Sequence, residues 1–230
     1  MGHYFMEVDL GGRPVLVVGG GRVARRKLAG LLDCGAEITL VAPRLDPQVA
    51  ARVAAGEVRH LPLPFHPRLL ETDPLPQLVF AATDQAERNR EIAALCRERR
   101  LWCNSADSPE TSTFLVPALV RRGALTIAVG TTGQSPALAR LVKERLDQWL
   151  EPGWEGLVAL FGARRQEVRN TLVDPEVRHR FWRLAALEAC RDGHHREPGD
   201  PSWFTDLLRR LATEHREPAT SPSRTPEETE

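Results

Sequence analysis

The aliphatic run Val15-Leu16-Val17-Val18 stops at Gly19-Gly20-Gly21, and a helical pattern begins at once with Arg22. A buried strand, a sharp turn and a helix must follow one another here, which commits this part of the chain to an α/β arrangement. Gly19-x-Gly21-x-x-Ala24 also has the spacing of the dinucleotide fingerprint. The first glycine permits the turn, the second lets a pyrophosphate approach the backbone, and the third small residue lets helix and strand pack closely. The helix N-terminus would then present unpaired N–H groups and the positive end of its dipole to an anion. A glycine triplet alone also suits an ordinary strand-to-helix connection, so its surroundings decide.

Those surroundings continue the pattern. Ala24, Leu28, Leu31 and Leu32 share one helical face, and Gly35 stands where that helix ends. Glu37 to Ala42 reads as the second strand, closing a βαβ unit before Pro43. Residues 46–55 read as a helix, Val58 to Leu61 as a short strand, and Leu78 to Thr83 as a buried strand. A helix over Asp84 to Arg99 and a strand over Leu101 to Asn104 complete a doubly wound parallel sheet of Rossmann type, assigned to residues 1–112.

A second module is expected over residues 113–150. Phe114 to Val120 is apolar, Arg121-Arg122-Gly123 makes a basic turn, and Ala124 to Val129 reads as a strand. Ser135-Pro136 supplies an N-cap and a proline at the first helical position, ahead of a helix with Leu138, Leu141, Val142, Leu146 and Trp149 on one face. Residues 151–192 read as a helical region. Residues 193–230 are expected to be a flexible tail, although Trp203, Phe204, Leu207, Leu208 and Leu211 have the spacing of one amphipathic helix, with disorder from Glu214 onward.

Lys+Arg and Asp+Glu are both 31, so no net charge draws the chain to nucleic acid or to an anionic membrane. No run approaches the ~20 apolar residues that span a bilayer. Cys34, Cys96, Cys103 and Cys190 form no CxxC pair, which fits a reducing cytoplasm and disfavours a zinc site or a disulfide framework. His194-His195, in a polar stretch, is read as surface, and no metal-ligating set is expected.

Taken together, Val17 to Lys27, Val41-Ala42-Pro43, Ala81 to Asp84, Cys103 to Pro109, Phe114 to Pro117 and Ser135 to Arg140 form an ordered series of motifs. The series resembles the precorrin-2 dehydrogenase and sirohydrochlorin ferrochelatase family, which includes the N-terminal part of siroheme synthase, and it covers about residues 3 to 185. The resemblance implies NAD-dependent oxidation of precorrin-2 to sirohydrochlorin, with ferrous iron then inserted as a substrate to give siroheme. It also implies a homodimer built largely through the second module. Two other readings stand beside this one: a non-catalytic NAD- or tetrapyrrole-binding protein, and a chelatase without dehydrogenase activity.

On the matched motifs, the cofactor is expected against Gly19, Gly21, Arg22, Val23 and Ala24, against Pro43 and Arg44, against Thr83 and Asp84, and against Asn104. A typical dinucleotide fold ends its second strand in an acid that binds the ribose; here Ala42-Pro43-Arg44 stands in its place. Arg44 alone would suit the 2′-phosphate of NADP, but the family pattern also lacks the acid and uses NAD. Asp107 matches the family's acidic residue important for both reactions, and a carboxylate there could accept the protons that each step releases. Its competing role is to stabilise a turn. Thr131, Thr132, Gly133, Gln134 and Ser135 match a loop where tetrapyrrole carboxylates could meet backbone N–H groups. Thr132 replaces the family's second glycine, and a β-branched residue disfavours positive φ. Arg121, Arg122, Arg140, Lys143 and Arg145 are read mostly as solvated, with some able to complement an acidic substrate.

Overall fold

The computed structural model describes residues 3–190 and 202–216. They form two compact units, one of residues up to Pro117 together with Gly130–Ala139, the other of Ala118–Val129 and the described residues from Arg140 onward.

In the first unit, β1 (Pro14–Val18), α1 (Arg22–Leu32), β2 (Glu37–Val41), α2 (Pro47–Ala54), β3 (Arg59–Leu61), β4 (Leu78–Ala81), α3 (Ala86–Glu98) and β5 (Trp102–Ser105) follow in chain order. The sheet runs β3-β2-β1-β4-β5 and every pair is parallel. Alternation sorts the core: Val15 and Val17 join Leu28, Leu31, Leu40 and Phe80 beneath α1, while Leu16 and Val18 join Val79, Ile92, Cys96 and Cys103 beneath α3. Both faces of β1 are therefore covered, which is why its sequence is apolar throughout. The order reverses direction at β1, and in open parallel sheets the carboxyl ends of the strands at such a switch point, here β1 and β4, are where ligands bind.

The outer edge of β5 is closed by the returning chain rather than by another strand. The Cys103 and Ser105 N–H groups donate to the hydroxyls of Thr113 at 2.7 Å and Ser112 at 2.9 Å, and the Thr113 N–H donates back to the Cys103 carbonyl at 2.8 Å. Phe114 then lies edge-on to Phe80, with ring centroids 5.4 Å apart. The apolar run from Phe114 is thus divided. Its first half packs on the first unit, and the strand begins only at Ala118, so the compact units do not follow a boundary at residue 113.

The second unit contains the antiparallel hairpin of β6 (Ala118–Arg122) and β7 (Leu125–Val129), then α4 (Pro136–Trp149), α5 (Trp154–Thr171), α6 (Pro175–Ala189) and α7 (Ser202–Arg216), with the first turn of α4 counted in the first unit. Arg122 fastens the hairpin to the end of α4, donating through Nε to the Leu150 carbonyl and through its guanidinium to the Asp147 carbonyl, both at 2.8 Å.

Residues 202–216, assigned from sequence to a flexible tail, form a packed helix instead. Phe204, Leu207, Leu208 and Leu211 are buried against Val168, Leu172, Phe181 and Ala185 of the α5–α6 segment. The Phe181 and Phe204 rings meet edge to face at 5.1 Å. The apolar stripe finds a partner surface 20 to 40 residues earlier, and that burial outweighs the polar composition around it. The helix also passes the expected limit at Glu214, whose carboxylate stands 3.6 Å from Arg180. His194-His195 lies outside the described residues.

Candidate active site

At the end of β1 the three glycines do different work. Gly19 has φ +116°, and a β-carbon there would stand 2.2 Å from the Ala82 carbonyl oxygen. At Gly20 it would stand 2.3 Å from the Arg44 carbonyl oxygen. These two residues are confined by the ends of β4 and β2, so the fold itself requires them. A β-carbon at Gly21 would meet nothing within 4 Å. Gly21 is the N-cap of α1, no side chain caps the helix, and no acid stands in its first turn. The N–H groups of Arg22, Val23 and Ala24 therefore begin a helix open to an anion. Ala24 is fully buried, the small residue that lets α1 lie close on the sheet. The turn fits the pyrophosphate of a dinucleotide.

Pro43 and Arg44 are exposed after β2. The nearby acid Asp46 caps α2, accepting from the Gln48 N–H at 2.9 Å, and stands 3.7 Å from Arg25. After β4, Thr83 is held by Asn89: its N–H and hydroxyl both donate to Asn89 Oδ1, at 3.0 and 2.7 Å, and Asn89 Nδ2 donates to the Thr83 carbonyl. Asn89 is buried and fixes this turn, while Asp84 is exposed. Asn104 on β5 is also buried, and both ends of its amide are engaged within the protein. Oδ1 accepts from Lys27 Nζ at 2.9 Å, and Nδ2 donates to the Phe114 carbonyl at 3.1 Å. Burial and then the neighbouring charge of Arg26 lower the Lys27 pKa from 10.5 to about 8.

Two residues beyond β5, Asp107 is exposed, and its Oδ1 accepts a hydrogen bond from the Ser105 hydroxyl at 2.9 Å. The short 3₁₀ turn Pro109–Thr111 has Ser108, not Asp107, at its N-cap, and it is closed by the Thr111 and Ser112 hydroxyls, which donate to the Ser108 carbonyl at 3.1 and 3.0 Å. The carboxylate is thus aimed by a neighbouring hydroxyl rather than used up in capping. Glu110 shares this turn. The Ser108 hydroxyl holds its carboxyl below the usual carboxylate range, against an opposing influence from the charge of Asp107.

The loop 131–135 comes against the same turn. A β-carbon at Gly133, where φ is +82°, would stand 2.9 Å from Pro109 Cβ. Thr131 Oγ1 accepts from the Ser135 N–H at 3.1 Å, and the Gln134 N–H donates to the Thr131 carbonyl at 2.9 Å. Ser135 Oγ accepts from the Leu138 N–H and so caps α4. Thr132 takes φ +51° despite its branched side chain, and its hydroxyl donates to the Thr131 carbonyl.

The fold thus gathers the glycine turn, Thr83, Asn104 and Asp107 at the carboxyl ends of three neighbouring strands, with Gly133 beside them. Pro43 and Arg44 stand at the end of β2 on the other side of β1. Arg121 is exposed, Arg140 and Lys143 pair with Glu144 and Asp147, and Arg122 serves the hairpin. Asn89 and Glu110 carry no signal in the sequence, and Lys27 stands there only as the last residue of a matched motif, with no site role. Lys27 gave a signal, being a charge on a helix whose neighbours one turn away, Ala24 and Leu31, are apolar. Among the described residues, no group of three His, Cys, Asp or Glu side chains could hold a metal ion.

Residues 6–118 match a family described as putative NAD(P)-binding, and residues 122–148 match the sirohaem biosynthesis protein central family. Siroheme synthase 3 of Aeromonas hydrophila is 38% identical over 198 residues, covering 86% of this chain and 42% of that protein. Siroheme synthase of Thioalkalivibrio sulfidiphilus is 39% identical over 170 residues, covering 74% of this chain and 34% of that protein. The chain therefore spans well under half the length of these curated relatives. The solved structure of SirC, a precorrin-2 dehydrogenase, superposes with a TM-score of 0.68 at 26% identity, covering 92% of this chain and all of that one. Two consecutive family matches on a sheet with this glycine turn, together with these relatives, place the chain in the precorrin-2 dehydrogenase family that includes the N-terminal part of siroheme synthase.

Proposed function

We propose that this chain oxidises precorrin-2 to sirohydrochlorin with NAD, and that ferrous iron, as a second substrate, enters the sirohydrochlorin ring at the same site. The observation that carries the reading is the placement of Asp107. It is an exposed carboxylate held by Ser105 at the end of β5, on the same side of the sheet's carboxyl edge as an α1 N-terminus fitted to a pyrophosphate. NAD, when bound, supplies the hydride acceptor. Gly21 and the first N–H groups of α1 would hold its pyrophosphate. Pro43 and Arg44 would flank the adenosine end, while Thr83 and Asp84 would border the nicotinamide end.

Oxidation removes a hydride and a proton from the tetrapyrrole, and Asp107 takes the proton while Ser105 keeps the carboxylate oriented. Metal insertion releases two pyrrole protons, for which the same carboxylate is available. The pyrrole nitrogens are the ligands of the iron, so no protein ligand set is needed. The loop Thr131 to Ser135 receives the substrate's acetates and propionates through the N–H groups of Thr132 and Gly133, since those of Gln134 and Ser135 are engaged within the loop.

The homodimer is proposed on the face of α4. Leu138, Leu141, Val142 and Trp149 are 37–62% exposed there, more apolar surface than one helix ordinarily leaves to water. A monomer mass that stays constant with concentration would oppose it. No helix among the described residues is long and apolar enough to cross a membrane, and all four cysteines are free, in keeping with a cytoplasmic protein.

An anaerobic assay tests the activity: precorrin-2 with NAD, then sirohydrochlorin with ferrous iron, on one preparation. Formation of sirohydrochlorin and then siroheme is expected. Binding of both ligands without turnover would favour a carrier, and iron insertion alone would favour a chelatase.

A further inference from the structure

Lys27 is an unusual residue to find where it stands. It lies on α1, the helix whose N-terminus faces the cofactor site, yet its ammonium turns inward. Nζ donates to Asn104 at 2.9 Å and stands 5.4 Å from the centre of the Phe80 ring. Among the described residues it makes no ion pair, and the charge that acts on it is the like charge of Arg26. A half-buried amine without a carboxylate carries a desolvation cost, and an apolar side chain would fill the space between α1 and β4 at lower cost. Stability alone does not account for it.

What the amine does accomplish is a connection. Asn104, which accepts from Lys27, donates at its other end to the Phe114 carbonyl. Between Asn104 and Phe114 runs the turn that bears Asp107, and both of its flanks are fastened, Ser105 to Ser112 and Cys103 to Thr113. The base of that turn is therefore tied through one amide and one amine to the helix that receives the pyrophosphate.

We propose that Lys27 and Asn104 are positioning residues that hold α1 and the Asp107 turn in a single frame, so that the hydride acceptor and the proton acceptor face the substrate at a fixed separation. The proposal rests on the dehydrogenase reading for its chemistry, but the coupling between cofactor helix and turn stands on the hydrogen bonds themselves. Geometry of this kind matters, since a misplacement of about 1 Å can cost about a hundredfold in rate.

The test uses Lys27→Met, Asn104→Leu and the double variant in the full chain. Four quantities are measured: melting temperature, NAD affinity, kcat and KM for precorrin-2, and amide hydrogen exchange of residues 106–111 with and without NAD. In the wild-type chain, NAD is expected to slow exchange in the turn. In Lys27→Met that slowing should be lost while NAD affinity stays within about threefold, and kcat should fall by about 10- to 100-fold with KM nearly unchanged. The double variant replaces a part-buried polar pair with apolar groups and should recover the melting temperature. Its kcat should stay low. Recovery of kcat along with the melting temperature would overturn the proposal, because the pair would then serve packing alone. Equal slowing of exchange in Lys27→Met and wild type would overturn it as well. Absence of precorrin-2 turnover in the wild type would remove the dehydrogenase reading instead, and the exchange measurement, which needs only NAD, would still decide the coupling.

Discussion

Gly133 rests on Pro109, so closely that a β-carbon at Gly133 would stand 2.9 Å from Pro109 Cβ, with Gly133 itself at φ +82°. The loop proposed to receive the tetrapyrrole and the turn that bears Asp107 are thereby one surface. Gly133→Ala would meet both a clash and a left-handed backbone, together costing about 1–3 kcal/mol. The expected result is a weaker KM for precorrin-2 with NAD affinity unchanged, read by steady-state kinetics and cofactor titration. Equal loss of both affinities would mean that the loop supports the whole unit rather than the substrate.

The glycines of the first turn predict opposite outcomes from neighbouring changes. Gly21→Val projects into open space, so its melting temperature should match wild type while NAD affinity falls about tenfold or more, because the side chain occupies the place of the pyrophosphate. Gly20→Ala would press on the Arg44 carbonyl and should lower the melting temperature. Circular dichroism melts and NAD titration on the two variants separate these effects. Unaltered NAD affinity in folded Gly21→Val would remove the glycine-turn assignment.

Asp107→Asn keeps size and can still accept from Ser105, but it loses the base. Dehydrogenation should fall about 10²–10⁴-fold with little change in the affinity of either ligand. Iron insertion should fall with it if the site is shared. Because Asp107 caps no helix, the melting temperature should hold. A lowered melting point with normal rates would make it a turn residue after all.

Lys27 gives stability a definite slope against pH. In the folded chain burial brings its pKa down to about 8 from the ordinary lysine value of 10.5. Between those values the unfolded chain binds more protons, so the contribution of Lys27 to stability rises with pH. Below the window both states are charged and the burial cost is felt in full; above it both are neutral and the cost is gone. Urea melts of wild type and Lys27→Met at a series of pH values should show the difference shifting toward wild type, by up to about 3 kcal/mol across the window. A difference flat with pH would show that the amine is not desolvated.

Ending the chain before Ser202 should unravel the helical part of the second unit. Four apolar side chains of α7 are buried there, each contributing about 1.5–3 kcal/mol by removal from water. Loss of helical signal and a lower melting temperature are expected, with the parallel sheet retained. A chain that ends at residue 201 and melts like wild type would show α7 to be dispensable.

The sheet was legible because β1 and β4 are buried on both faces and must read as unbroken apolar runs, and because Gly19 and Gly20 mark where strand ends crowd together. Asp107 was reachable only through the resemblance, since an acid beside Ser-Pro looks like any turn. The Lys27–Asn104 bond could not be read from local pattern. It joins residues 77 positions apart, and it exists only because the chain order of strands places β5 two places from β1. The α7 helix was visible as an amphipathic stripe and was nevertheless assigned to a loose tail, because the surface that covers it lies in α5 and α6. Thr132 also ran against local preference, since its left-handed backbone is imposed by the turn between Thr131 and Gly133 and not by its own side chain.

The hydroxyls of Ser112 and Thr113 that occupy the outward N–H groups of β5 have a bearing on self-association. An open sheet margin is a template for another chain's strand, and the longer margin of this sheet has been silenced by side chains from its own loop. The opposite margin, β3, is only three residues long and carries Arg59. Neither side invites a sixth strand from a second copy, so multiplication of the sheet into fibrous stacks is disfavoured at both ends.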